Sequence, residues 1–121
     1  MVKLGKRLEQ HQFCYLTTRG RMSGRPHRIE IWSAIIDGRL FVNSGGGKHS
    51  DWVKSLLADP SVGIEIGDEK WEGTAAVRAE ATVHPARPRL AARCQGWRPG
   101  QPLSTWATES LLIELRADSG G

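Results

Sequence analysis

Residues Arg39–Ala58, RLFVNSGGGKHSDWVKSLLA, constrain the fold of this chain more than any other stretch. Leu40, Phe41 and Val42 form a short apolar run of strand type within Arg39–Asn43. Ser44-Gly45-Gly46-Gly47 must end it, because three glycines add backbone freedom and no packing. Ser50 or Asp51 then offers an N-cap, Trp52, Val53, Leu56 and Leu57 recur at helical spacing, and Asp59-Pro60 stops the run. A glycine loop feeding a helix N-terminus, with Lys48 beside it, favours an anion: bare backbone N–H groups, a partial positive charge and a full one converge there. It is not a P-loop. His49 follows Gly47-Lys48 where Ser or Thr is needed, and Val42 stands where the first glycine belongs. A plain glycine-rich turn fits the same residues, and this stretch alone leaves both readings open.

A chain of 121 residues builds one domain around one core. No apolar run reaches membrane-spanning length and MVKLGKRLEQ lacks a signal-peptide h-region, so a cytoplasmic location is expected. Cys14 and Cys94 form no CxxC pair and read as buried thiols, and the four histidines are scattered, so no metal site is expected. Charge is uneven. Residues 1–49 carry nine Lys/Arg against three Asp/Glu, whereas residues 50–121 carry eight against ten. A basic first half implies an anionic partner such as a phosphorylated cofactor, although a solvated basic face would look the same.

Taken in order, residues 1–12 read as a short amphipathic helix or arm weakened by Gly5. Phe13–Thr18 is strand-like, Arg19–Pro26 is a turn with three arginines, and His27–Ile36 reads as one long strand. Ile29, Ile31 and Ile35 share one face of it, and Asp37-Gly38 turns it into a hairpin with Arg39–Asn43. After the helix come Ser61–Ile66, a turn at Gly67-Asp68, and an alternating strand over Lys70–Val83 with a bulge expected at Gly73. His84–Gly100 is irregular: Ala91-Ala92 belong to a short helix at most, because Pro85 and Pro88 restrict its start. Leu103–Thr108 allows one helical turn, Ser110–Leu115 is a last strand, and residues 117–121 are expected to be a flexible tail. The chain is therefore mainly β: about six antiparallel strands in a small barrel with flanking helices, one domain over 13–116.

Two segments resemble the deazaflavin-dependent nitroreductase family. Leu16–Pro26, LTTRGRMSGRP, is similar to its "LTTxGRxSGxP" opening, and Trp52–Pro60, WVKSLLADP, to its "W-hydrophobic-x-N-L-x-A-x-P" helix. Ser44–Gly47 matches the small-residue loop before that helix, and Gln95-Gly96-Trp97 resembles a feature of shorter members. The resemblance implies a split β-barrel related to pyridoxamine-phosphate-oxidase-like FMN-binding proteins. It implies coenzyme F420, a deazaflavin with a phosphate and a glutamate tail, and hydride transfer to a quinone, a nitroaromatic or another activated acceptor.

On that resemblance Arg21, Ser23, Gly24, Pro26, Ser44, Gly46, Gly47 and Trp52 are cofactor contacts. Charge and position add Arg25, Arg28, Asn43 and Lys48, and Gly45 supplies a further backbone donor. No side chain stands out as a nucleophile or an acid–base pair, which suits chemistry carried by the cofactor. The chain departs from the family pattern at His27, where many members have Arg, at Ser33, where relatives often have a bulky aromatic, and around Pro88, where the helix looks shortened. Alternatives are an FMN enzyme on the same barrel and a non-enzymatic deazaflavin, flavin or haem binder; a homodimer suits either. Nucleic-acid binding is disfavoured, because the basic residues cluster in loops and the strands lack an aromatic-plus-basic stripe.

Overall fold

The computed structural model describes residues 3–20, 23–44, 50–78, 86–95, 98, 100 and 111–120. A 3-10 helix, Lys6–Gln10, leads into β1 (Phe13–Arg19), β2 (Pro26–Trp32), β3 (Ala34–Ile36) and β4 (Arg39–Ser44). Helix α1 (Asp51–Ala58), β5 (Ser61–Ile66), β6 (Glu69–Val77), α2 (Ala86–Gln95) and β7 (Leu111–Gly120) follow.

The seven strands form one antiparallel sheet in the order β2-β1-β5-β6-β7-β4-β3. Its outermost members, β2 and β3, are separated in sequence by Ser33 alone. The two edges of the sheet are thus halves of one bent strand, and the sheet curls back on itself. Closure of this kind removes exposed edges. The single strand expected over His27–Ile36 is corrected to two. Ser33 leaves the ladder, is buried, and donates its N–H to the Gln12 carbonyl at 2.9 Å. A chain that must pair with β1 on one side and β4 on the other has to bend between them. The alternation survives the bend: Ile29, Ile31 and Ile35 all join the inner cluster.

That cluster is the barrel interior. Leu16, Leu40, Val42, Ile64, Ile113 and Leu115 are each almost inaccessible, and Val53 and Leu56 of α1 pack against them. Each such side chain contributes roughly 1.5–3 kcal/mol on burial. Cys14 belongs here too; burial pushes its thiol up to about 12, which leaves it inert. A second, smaller core lies on the opposite face of the sheet, where Leu90 of α2 covers Ala34, Phe41 and Leu112.

Three further expectations change. Helix α2 runs the full Ala86–Gln95, because Pro88 is its third residue and the first turn has no N–H partner to lose. β7 continues past Leu115 to Gly120, so the expected tail is paired with β6 over most of its length, and Ala117 is buried. The irregularity expected at Gly73 is present, but the extra residue is Asp118 on β7: pairing passes from Glu72↔Ser119 to Gly73↔Ala117. A Cβ on Gly73 would lie 2.2 Å from the Arg116 carbonyl oxygen, so this approach requires glycine. Leu103–Thr108 and the end of the strand expected over Lys70–Val83 lie outside the described residues.

Candidate cofactor cleft

Two connections bear on the site: one contributes to its lining and the other leads into the helix that does. The first joins β1 to β2. Its N–H groups fold inward: Gly20 donates to the Arg25 carbonyl and Gly24 to the Gly20 carbonyl, both at 2.8 Å. Gly24 takes φ of +71°, which favours glycine, and the Arg25 N–H donates to Ser23 Oγ at 3.1 Å. The second connection joins β4 to α1. Its ends are clasped by a hydrogen bond of 3.0 Å between the hydroxyls of Ser44 and Ser50. Ser50 occupies the N-cap without bonding the helix through its side chain. On α1, Val53 and Leu56 are buried, Trp52 is half-buried and Leu57 faces outward.

A cleft of about 430 Å³ opens between these elements. Thr18 of β1 and Gly20 and Ser23 of the loop form one side, His27 and Ile29 of β2 the base, and Asp51, Trp52 and Ser55 of α1 the other side. The volume suits a small cofactor. Trp52 and Ile29 offer an apolar surface to a flat ring, and the hydroxyls of Thr18, Ser23 and Ser55 a polar margin.

Of the residues expected to bind cofactor, Ser23 and Trp52 meet in this cleft. Gly24 and Arg25 belong to the same loop and are exposed, as is Pro26 at the start of β2, but none of the three lines the cleft. Ser44 clasps the base of the second connection. Asn43 is 8 % exposed and pairs in register with Leu112, on the face of β4 that carries Phe41. Arg21, Gly45, Gly46, Gly47 and Lys48 lie outside the described residues.

Arg28 is elsewhere. Alternation along β2 turns it away from His27 and Ile29, and its Nε donates to Glu65 at 2.8 Å while its guanidinium lies 3.8 Å from the Tyr15 ring centroid. The hydrogen bond to Glu65 raises the Arg28 pKa and lowers that of Glu65. A positive charge placed by sequence near a glycine loop is consumed here by a neighbouring strand. Thr18, Gly20, His27, Ile29, Asp51 and Ser55 also line the cleft and were not among the residues expected from sequence. The signal for two of them was available, because His27 and Ile29 share the β2 face that Arg28 does not.

A curled antiparallel sheet of this topology defines a split-barrel fold. Among solved structures, a conserved hypothetical protein from Mycobacterium tuberculosis superposes with a TM-score of 0.76 at 22 % identity, over 93 % of this chain and 77 % of that one. An F420 reductase gives 0.69 at 16 % identity over 100 % and 98 %. A Listeria innocua protein provisionally assigned as a pyridoxamine 5'-phosphate oxidase gives 0.68 at 20 % identity over 94 % and 90 %. Comparison with curated proteins gives no significant match. The profile of the F420H(2)-dependent quinone reductases matches residues 1–109, and the chain belongs to that family. Its cofactor is therefore coenzyme F420, as the two sequence segments imply.

Proposed function

We propose that this protein transfers a hydride from reduced F420 to a small activated acceptor, a quinone or a nitroaromatic, in the cytoplasm. The observation that carries the reading is the cleft, with its indole wall, its hydroxyl margin and its position between the β1–β2 loop and helix α1. When bound, the reduced deazaflavin supplies the hydride. The chain supplies the rest. Trp52 and Ile29 would cover the ring and exclude water from one face of it. Thr18, Ser23 and Ser55 offer hydroxyls to its polar edge. Lys48, next to Gly47, provides a cation for the phosphate or glutamate tail.

Titration of the purified protein with F420 and with FMN, followed by tryptophan quenching, tests the reading. Micromolar or tighter binding of F420 with weak FMN binding is expected, with acceptor-dependent oxidation of reduced F420. Preference for FMN, or binding of neither, would overturn it. Lys48→Ala is expected to weaken F420 binding about tenfold, the scale of one charge-assisted contact, and to leave thermal stability unchanged.

A further inference from the structure

We infer that His27 is a ligand for an anionic oxygen of the cofactor, holding it jointly with the Ser23 hydroxyl above Gly20. The inference rests on the cleft being the cofactor site. A Cβ placed on Gly20 would lie 2.9 Å from Ser23 Oγ and 3.0 Å from His27 Nε2. Two polar atoms are thus gathered over one bare α-carbon, close enough together for a single oxygen to reach both. Ser23 Oγ already accepts the Arg25 N–H at 3.1 Å, so its own proton is available to donate. A protonated imidazole provides the second donor and a charge.

Among the described cleft residues, that proton would be the one positive charge. Among the described cleft residues the ionisable side chains are His27 on β2 and Asp51 on α1; β1 and the loop contribute Thr18, Gly20 and Ser23. The lining carries one negative charge when His27 is neutral and none when it is protonated. The described arginines nearby, Arg19, Arg25 and Arg28, do not change this. Arg28 is paired with Glu65, Arg19 Nε lies 4.0 Å from an Asp59 carboxylate oxygen, and Arg25 is not part of the lining. Histidine is the side chain that changes charge between about pH 5 and 8. Binding of the anionic cofactor is therefore expected to weaken when the imidazole gives up the proton that anchors the anion.

The test is F420 binding measured by calorimetry at about pH 5.5 and about pH 8.5 for the wild type, His27→Gln and His27→Arg. Wild-type affinity is expected to fall about tenfold more than that of His27→Gln over this interval, while His27→Arg stays tight throughout. Equal pH dependence in wild type and His27→Gln would overturn the inference. A deazaflavin lacking both phosphate and glutamate should show no difference between the two proteins; a persisting difference would place His27 against the ring and overturn the anion role. Phosphorylated deazaflavin without glutamate separates the two sources: a retained difference assigns the phosphate, a lost one the carboxylate. Should F420 fail to bind at either pH, the proposed function fails by itself. The His27 imidazole titration, followed by NMR with and without sulfate, then decides the inference. A midpoint raised by sulfate supports it, and an unmoved midpoint overturns it.

Discussion

Two regions of this barrel gather polar and charged side chains, and they are built in opposite ways. On the outer face, beside the core under α2, Glu114 has 1 % of its side chain exposed. Arg39 donates to it from Nε at 2.8 Å and Nη2 at 2.6 Å, and Arg78 from Nε at 2.9 Å with a second bond from Nη2. Burial alone would raise the Glu114 pKa, but the hydrogen bonds from Arg39 and Arg78 outweigh it and hold the carboxyl at about 2. In the cleft, His27, Ser23 and Asp51 face open volume instead. A polar group enclosed by protein partners is part of the fold, because leaving it unpaired would cost more than its interactions return. Polar groups gathered at open space are affordable only in water, or with a ligand. The contrast separates a structural charge cluster from a candidate site, although both gather polar side chains.

The largest expected effect comes from breaking the first region. Glu114→Ala leaves Arg39 and Arg78 without their shared acceptor and should destabilise the protein by about 3 kcal/mol in urea unfolding. The pH dependence follows from the direction of the shift. The folded-state pKa is depressed to about 2 from the ordinary 4.5, so the stabilisation is complete above the ordinary value and is lost as pH falls from about 4.5 toward 2. Acid unfolding of the wild type should show this loss, and Glu114→Gln should lack that portion of it. Cofactor affinity of the folded fraction should not change. If Glu114→Ala lowered F420 affinity at unchanged stability, the cluster would belong to the site and the comparison would collapse.

Next in size is Trp52→Ala. The indole is half-buried, packs against the inner core and lines the cleft. Removal should weaken F420 binding at least about tenfold and destabilise the fold by about 1–2 kcal/mol. Trp52→Phe keeps an aromatic surface and should restore most of the affinity. Loss of stability without loss of affinity would assign Trp52 to the core alone.

The barrel was legible because its signals are local. Alternation placed Ile29, Ile31 and Ile35 on one face, Asp37-Gly38 turned β3 into β4, and glycine and proline bounded α1. The bend at Ser33 was not legible, because it is imposed by two partners, β1 and β4, far apart in sequence. Nor was the strand character of Ala117–Gly120, where small and polar residues pair because β6 is there to pair with. The site divided along the same line. Ser23 and Trp52, which the family resemblance implies, both line the cleft. Arg28, expected from charge, is paired with Glu65 instead, and charge says nothing about which neighbour claims it.

The smallest expected effect therefore sharpens the comparison most. Arg28 is an exposed arginine in the most basic part of the sequence, yet its side chain is engaged by Glu65 and the Tyr15 ring on the strand face away from the cleft. Exposed ion pairs contribute little, because solvent screens them and ordering two long side chains opposes them. Arg28→Gln should change F420 affinity by less than about twofold and leave the unfolding midpoint nearly unmoved. His27→Gln, one residue earlier and on the opposite face, should change the affinity and its pH dependence. Measured side by side, the two variants test whether strand alternation or bulk charge selects the residues that meet the cofactor. A large loss of affinity in Arg28→Gln alone would mean that the ligand reaches the outer face of β2, across Tyr15 and Glu65. The cleft between the loop and α1 would then be the wrong place to look for the ring.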